Sequence, residues 1–284
     1  MDCLSERFSV RRSCDVLGFR RQTYYRRKMG HRPDVEKEQE DQLLANWLLQ
    51  VTSRFVAWGF WKVFYYLRLQ GCIYNNKRVY RVWRELGLHL RLPPKRKRIY
   101  RKYQKLLAPK NANEGWAMDF LSDWIIGAET EGVQKQIRIV NIMDEGSRRA
   151  LWTEAHRSIS AKKLVTILDQ VVAYLGKPKY IRCDNGPEFI SSKLQAWAVQ
   201  NNIELRFIQP GKPSQNGLIE RLNKTLRVEC LNLCWFHSME ELNDELQTWS
   251  MAYNFERPHE NLNNLSPDIF EQKRANFYSN VVAA

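Results

Sequence analysis

Asp119, Asp184 and Glu220 are the residues of this 284-residue chain whose types and settings could do chemistry. Asp119 sits in Trp116-Ala-Met-Asp-Phe120, an apolar run that reads as a strand. Asp184 ends Tyr180-Ile-Arg-Cys-Asp184 and is followed by Asn185-Gly-Pro-Glu-Phe189. Glu220 lies in Asn216-Gly-Leu-Ile-Glu-Arg-Leu-Asn-Lys-Thr-Leu-Arg227, which has helical periodicity, and 35 residues separate it from Asp184. Three convergent carboxylates are what a phosphoryl-transfer site with two divalent ions needs. Hard oxygen ligands suit Mg²⁺ or Mn²⁺, and two such ions can clamp the attacking and leaving oxygens. Asn216, Glu220, Asn223 and Arg227 share one helix face. Lys224 and Arg227 follow the glutamate by four and seven residues, within reach of phosphates beside the ions.

These residues need a frame. Strand-like runs are expected at 116–124, 135–143 and 148–155, then a helix over 160–175, a strand at 179–183, a helix at 191–201 and a strand at 203–208. A Pro/Gly loop, Gln209-Pro-Gly-Lys-Pro213, precedes the helix bearing Glu220. A last helix is expected over about 239–255, with Ser238 and Glu241 as a capping box. Three strands followed by alternating helix and strand describe an α/β domain, a mixed sheet covered by helices. If the first and fourth strands are neighbours, Asp119 and Asp184 meet at one sheet edge, where ligand sites of such sheets tend to lie.

The charge is one-sided. Residues 1–110 hold 26 Lys and Arg against 9 Asp and Glu, while residues 111–284 hold 19 against 22. A basic arm on a near-neutral domain points to a polyanion, and nucleic acid is the obvious one. Residues 57–70 read as a helix ended by Gly71. Asn75 or Asn76 caps a second helix that stops at Gly87, with Val79, Val82, Trp83 and Leu86 inward. Lys77, Arg78, Arg81 and Arg84 fall largely off that stripe, the layout of a helix-turn-helix reader whose Arg78 and Arg81 reach base edges. Residues 91–110 carry nine basic residues and no acidic one. With Lys95, Arg96, Lys97 and Arg98 at its centre, this run is expected to be an extended linker ordered on phosphates.

Together these motifs resemble the DDE transposases of bacterial insertion sequences, relatives of retroviral integrases, and most of all the second-frame subunit, OrfB, of two-frame elements. The resemblance rests on Trp116–Phe120, Asp144-Glu-Gly-Ser-Arg148, Cys183–Phe189, Pro210–Arg221, Glu229-Cys-Leu-Asn232 and Tyr253-Asn-Phe-Glu-Arg-Pro-His259, in that order. It implies a ribonuclease H-like core over 113–284 with a C-terminal helical extension, a linker over 91–112 and a helical DNA-binding region over 1–90. It implies that Asp119, Asp184 and Glu220 bind two Mg²⁺ or Mn²⁺ ions, and that element ends are cut by water and joined through a DNA 3′-hydroxyl. DNA, further copies of the chain and a first-frame (OrfA-type) subunit are the implied partners. Two other readings use the same features: a nuclease that cuts without joining, and a DNA-binding regulatory subunit inactive without the first-frame partner.

Several roles have rivals among the residues. Asp123 shares Asp119's strand face by period two. Asp144 is expected to bond its own turn through Ser147 or Arg148, and Glu188 to serve a turn beside the site. Cys230, Cys234 and His237 are too few and too helically spaced for a zinc site, and His259 is expected to hold the C-terminal turn. No run of 18 apolar residues occurs and the N-terminus lacks an apolar leader, so a cytoplasmic, nucleoid-associated protein with reduced cysteines and no membrane partner is expected.

Overall fold

The computed structural model describes residues 9–18, 20–28, 35–90, 109, 111–126, 134–209 and 213–282. Among the described residues five helices come first: α1 (Val10–Val16), α2 (Arg21–Lys28), α3 (Val35–Arg54), α4 (Phe60–Leu69) and α5 (Asn76–Glu85). The α4–turn–α5 hairpin forms as expected. Asn75 caps α5 by accepting the Arg78 backbone N–H at 2.9 Å, and Val79, Val82 and Trp83 are buried. Helix α3 runs for 20 residues. Its first two turns are charged, and its apolar stripe of Leu44, Ala45, Leu48 and Val51 begins only midway before packing on α4 and α5. The basic run with Lys95, Arg96, Lys97 and Arg98 lies outside the described residues.

A five-stranded sheet follows, in the order β3-β2-β1-β4-β5. The strands are β1 (Gly115–Ile126), β2 (Gln134–Asp144), β3 (Ala150–His156), β4 (Tyr180–Cys183) and β5 (Glu204–Phe207). β1 pairs antiparallel with β2 and β2 with β3, whereas β1–β4 and β4–β5 are parallel. Each strand end lies within two residues of its expected place. Strand alternation sends Trp116 and Met118 of β1 to one face and Ala117 to the other. The first face is covered by α6 (Ala161–Leu175) and α7 (Ser192–Asn201). The second is covered by α8 (Gly217–Leu226) and α9 (Met239–Met251). Asp119, an odd-numbered residue of β1, therefore faces the side on which α8 lies.

Ile219, Leu222 and Leu226 anchor α8 on that face, each almost fully buried. At about 1.5–3 kcal/mol per side chain, this stripe and not a cap holds the helix, since Asn216 makes no capping bond. α8 continues without a break into a wide π-helical turn, Arg227–Leu231, and α9 does the same over Ala252–Glu256. A further helix, α10 (Pro267–Val282), was not expected. The N-terminal helices dock on the core through ions. Lys62 of α4 bonds Glu229 at 2.6 Å, Arg257 bonds the same carboxylate at 2.9 Å, and Arg54 meets Glu256 at 2.7 Å. Among the described residues no helix is long and apolar enough to cross a membrane.

Candidate active site

The parallel pairing of β1 with β4 builds the site. Ala117 lies opposite Arg182 in that register, so Asp119 and Asp184, each two residues further on, come level at the carboxyl end of β4. Asp119 is held at both oxygens: Oδ1 accepts the Phe120 N–H at 2.8 Å and Oδ2 accepts from Asn223 Nδ2 at 2.8 Å. Asp184 accepts the Gly186 N–H at 2.9 Å. A side chain at Gly186 would crowd that bond, because its Cβ would sit 3.0 Å from the Asp184 Oδ1. Glu220 stands exposed in the first turn of α8.

The electrostatics register the crowding. Burial pushes the Asp119 carboxyl up to about 6, and the charges of Asp184 and Glu220 push the same way against the Phe120 and Asn223 bonds. Burial also raises Glu220. The Cys183 thiol is pushed up to about 12 by burial and then by the Asp184 and Asp119 charges, which keeps it protonated. Among the described residues no three candidate ligands are yet close enough to hold an ion together.

Asn223 is itself held. Its Oδ1 accepts from Asn141 Nδ2 at 2.7 Å, and Asn141 is the β2 residue directly across from Asp119. Asn141 is wholly buried and its Oδ1 has no partner. This Asn141–Asn223–Asp119 chain fixes the carboxylate plane, and sequence reasoning missed its first member. The signal was there: a lone amide in the apolar run Ile137-Arg-Ile-Val-Asn-Ile-Met143.

The other expected residues scatter. Asp123 takes Arg227 Nη1 at 3.4 Å, and Arg227 also donates to the Ser122 carbonyl at 2.8 Å, so this pair lies along β1. Asn216 is buried, with an unpartnered Oδ1, while Lys224 is exposed on α8. Glu188 pairs with Arg138, whose guanidinium lies over the Phe120 ring at 4.3 Å. Asp144 closes its turn on the Gly146 and Ser147 N–H groups at 2.7 and 2.6 Å. His259 pairs its N–H with the Leu265 carbonyl at 3.0 Å and so holds the C-terminal turn. In the helical region Arg78 and Arg81 are turned onto α3, bonded to Asp41 at 2.8 and 2.5 Å, with Arg78 also on Glu40. Lys77, Arg81 and Arg84 are exposed on α5, Arg81 within its ion pair to Asp41.

Residues 109–213 and 201–267 match the family description "Integrase core domain". Over 275 residues the chain is 31% identical to the "Insertion element IS407 uncharacterized 31.7 kDa protein" of Burkholderia multivorans, covering 96% of this chain and 95% of that one. The chain belongs to the insertion-element transposases built on an integrase core. This transposase is also 33% identical over 262 residues to the "Insertion element IS476 uncharacterized 39.2 kDa protein" of Xanthomonas euvesicatoria, covering 92% of it and 72% of that relative. The HTLV-2 integrase catalytic core in complex with magnesium, trimeric form, aligns over 57% of this chain and 97% of that one, at 18% identity and a TM-score of 0.42. By its integrase core and its insertion-element relatives the transposase is an enzyme of the polynucleotidyl-transferase type, and its five-stranded mixed sheet flanked by helices is the α/β architecture its sequence predicts.

Proposed function

We propose that this transposase cuts the ends of its insertion element and joins the resulting 3′-hydroxyl to target DNA, with Asp119, Asp184 and Glu220 as the ligands of two Mg²⁺ or Mn²⁺ ions. The observation that carries the proposal is the β1–β4 register, which levels Asp119 with Asp184 within electrostatic reach of Glu220. The donor set fits hard divalent cations: three carboxylates with no thiolate or imidazole among them. The Asp184 and Glu220 charges bear on Asp119, a repulsion that a bound cation would relieve. Bound there, such ions would activate the attacking hydroxyl and stabilise the leaving oxygen. The chain's own part is to hold the carboxylates. Phe120 and Asn223 orient Asp119, Gly186 orients Asp184, and the packed stripe of α8 presents Glu220, exposed and able to close the set.

DNA is held by more than this site. The exposed Lys77 and Arg84 of α5 and the basic run from Lys95 to Arg98 supply phosphate contacts, and Lys224 does so beside the carboxylates. The helical region over 1–90 acts as the DNA-binding unit, 91–112 as the linker and 113–284 as the catalytic unit. Further copies of the chain and a first-frame subunit assemble on the element ends. Asp184→Asn and Glu220→Gln, both nearly isosteric, should lower donor-end cleavage in Mg²⁺ by orders of magnitude while circular dichroism and the unfolding midpoint stay native. Turnover at the wild-type rate in either variant refutes the triad. Joining of a pre-cut end, assayed in parallel, separates a transposase from a nuclease that only cuts.

A further inference from the structure

Behind the catalytic helix lies a cavity of about 610 Å³, walled by α4, α8, the β2–β3 turn and the C-terminal hairpin. It falls in the range of about 300–1,000 Å³ typical of small-ligand sites. Its wall carries four cations, Lys62, Arg148, Arg221 and Arg257, and the aromatic rings of Trp61, Tyr65 and Tyr253. Lys62 and Arg257 share Glu229, and Glu260 is the one carboxylate of the lining itself, so positive charge is in excess.

Arg148 is the most unusual of the four. It holds a left-handed backbone at φ 67° without being glycine, and residues so held cluster at ligand clamps and active sites. Its Nη1 is buried with no hydrogen-bond partner. The nearby carboxylates do not relieve it: Asp144 is committed to its own turn, and Glu145 to the Tyr180 hydroxyl at 2.6 Å and Arg182 at 2.7 Å. Burial lowers the Arg148 guanidinium against the charges of Glu145, Tyr253 and Asp144, and the smaller effect of the Arg221 charge adds to that lowering. Burial, followed by the charges of Arg257, Lys62 and Arg221, likewise drives His259 down to about 3, so the imidazole in this wall is neutral. Like charges gathered around a buried, unsatisfied donor are costly until an anion arrives. Trp61, 55% exposed and stacked on Tyr65 with centroids 6.0 Å apart, offers a planar surface at the mouth.

We infer that this cavity is a nucleotide-holding subsite, which takes one nucleotide of a DNA strand with its phosphate on Arg148 and Arg221 and its base against Trp61 and Tyr65. The inference rests on the proposed action on DNA and adds where the strand is gripped. Leu218, Arg221 and Thr225 form the cavity face of α8, whereas Glu220 and Asn223 belong to the carboxylate side. A helix is about 10–12 Å across, a span that three nucleotides cover at about 3.4 Å each. Stacking on aromatic rings and charged contacts to phosphate are how single strands are bound without base pairing.

The test uses the full chain in EDTA, with thymidine 3′,5′-bisphosphate as probe and calorimetry as readout. Wild type should bind the probe saturably. Arg148→Gln and Arg221→Gln should each weaken it tenfold or more, and the unfolding midpoint of Arg148→Gln should not fall, because its buried Nη1 has no bond to lose. Trp61→Ala should weaken the nucleotide but not inorganic phosphate. Undiminished binding in Arg148→Gln overturns the inference. Equal affinity of wild type for inorganic phosphate and for the nucleotide overturns it too. No divalent ion and no bond cleavage enter this readout, so failure of the carboxylate chemistry would show in the cleavage assay and failure of the subsite would show here.

Discussion

Asn141→Val isolates the chain that aims Asp119. Asn141 does not hydrogen-bond a carboxylate itself. It donates to Asn223, which donates to Asp119. Valine has nearly the same volume and suits a buried strand position. It removes a buried carbonyl that lacks a partner, which returns about 1–3 kcal/mol of desolvation cost, and it leaves the Asn223 Oδ1 unsatisfied at a similar cost. These effects nearly cancel, so the unfolding free energy should stay within about 1 kcal/mol of wild type. Catalysis should not be spared. Without Asn141 the Asn223 amide can rotate and present oxygen to Asp119. The bond then at risk is one to a charged group, worth about 1.5–3 kcal/mol. At 1.4 kcal/mol per tenfold, cleavage at limiting Mg²⁺ should fall about ten- to hundredfold, as when groups behind metal ligands are removed. The assay is donor-end cleavage across a Mg²⁺ titration beside urea unfolding. The double variant Asn141→Val/Asn223→Ala should lose little more than Asn223→Ala alone, since the two act in series. Wild-type Mg²⁺ dependence in Asn141→Val, or fully additive losses, refutes the relay.

Other expectations follow from the same structure. Glu229 would be raised by burial, but Arg257 and then Lys62 outweigh burial and hold it below its ordinary 4.5. A depressed carboxyl stabilises the fold above its unfolded value and loses that contribution as pH falls through the folded one. Glu229→Gln should therefore cost about 3–5 kcal/mol in urea unfolding at pH 7, and the gap from wild type should narrow in acid; a gap independent of pH contradicts the assignment. Neutralising Lys95, Arg96, Lys97 and Arg98 should lower the salt slope of duplex binding by about 0.9 for each phosphate they neutralise in the wild type; an unchanged slope removes the run from the interface. Lys224→Ala should impair joining of a pre-cut end with end preference intact, whereas Lys77→Ala with Arg84→Ala should weaken duplex binding without slowing joining of bound ends. Competition binding run beside a joining assay reads both, and the reverse pattern would count against this division.

The sheet and its helices were legible because their periodicity is clean. β1 alternates Ala117 and Met118 between two cores, and α6 buries Leu164, Ile167, Leu168 and Val171 on one stripe. α3 was not, because its first turns carry charged side chains that meet α5 through ions and only Leu44 onward carries an apolar inward stripe. Local context likewise marked Asp119 and Asp184, but which partner each charge chooses is a tertiary fact. Arg78 and Arg81 lie off the apolar stripe of α5, as their spacing predicts, yet Asp41 on α3 takes both. Asn141 was hidden for the complementary reason: its meaning comes from the residue across the strand, and register is not written in either strand alone.

The wide turn at Arg227–Leu231 has a consequence for aim. A regular helix advances about 100° per residue, and the looser turn changes the azimuth of everything beyond it. Upstream, Ile219, Leu222 and Leu226 key the rod into the sheet, while downstream Glu229 is gripped by Lys62 and Arg257. A shaft keyed at two stations of different phase cannot roll about its own axis. Glu220 can therefore approach Asp119 and Asp184 from one bearing only, set in part by a lysine from the helical region at the other end of the chain.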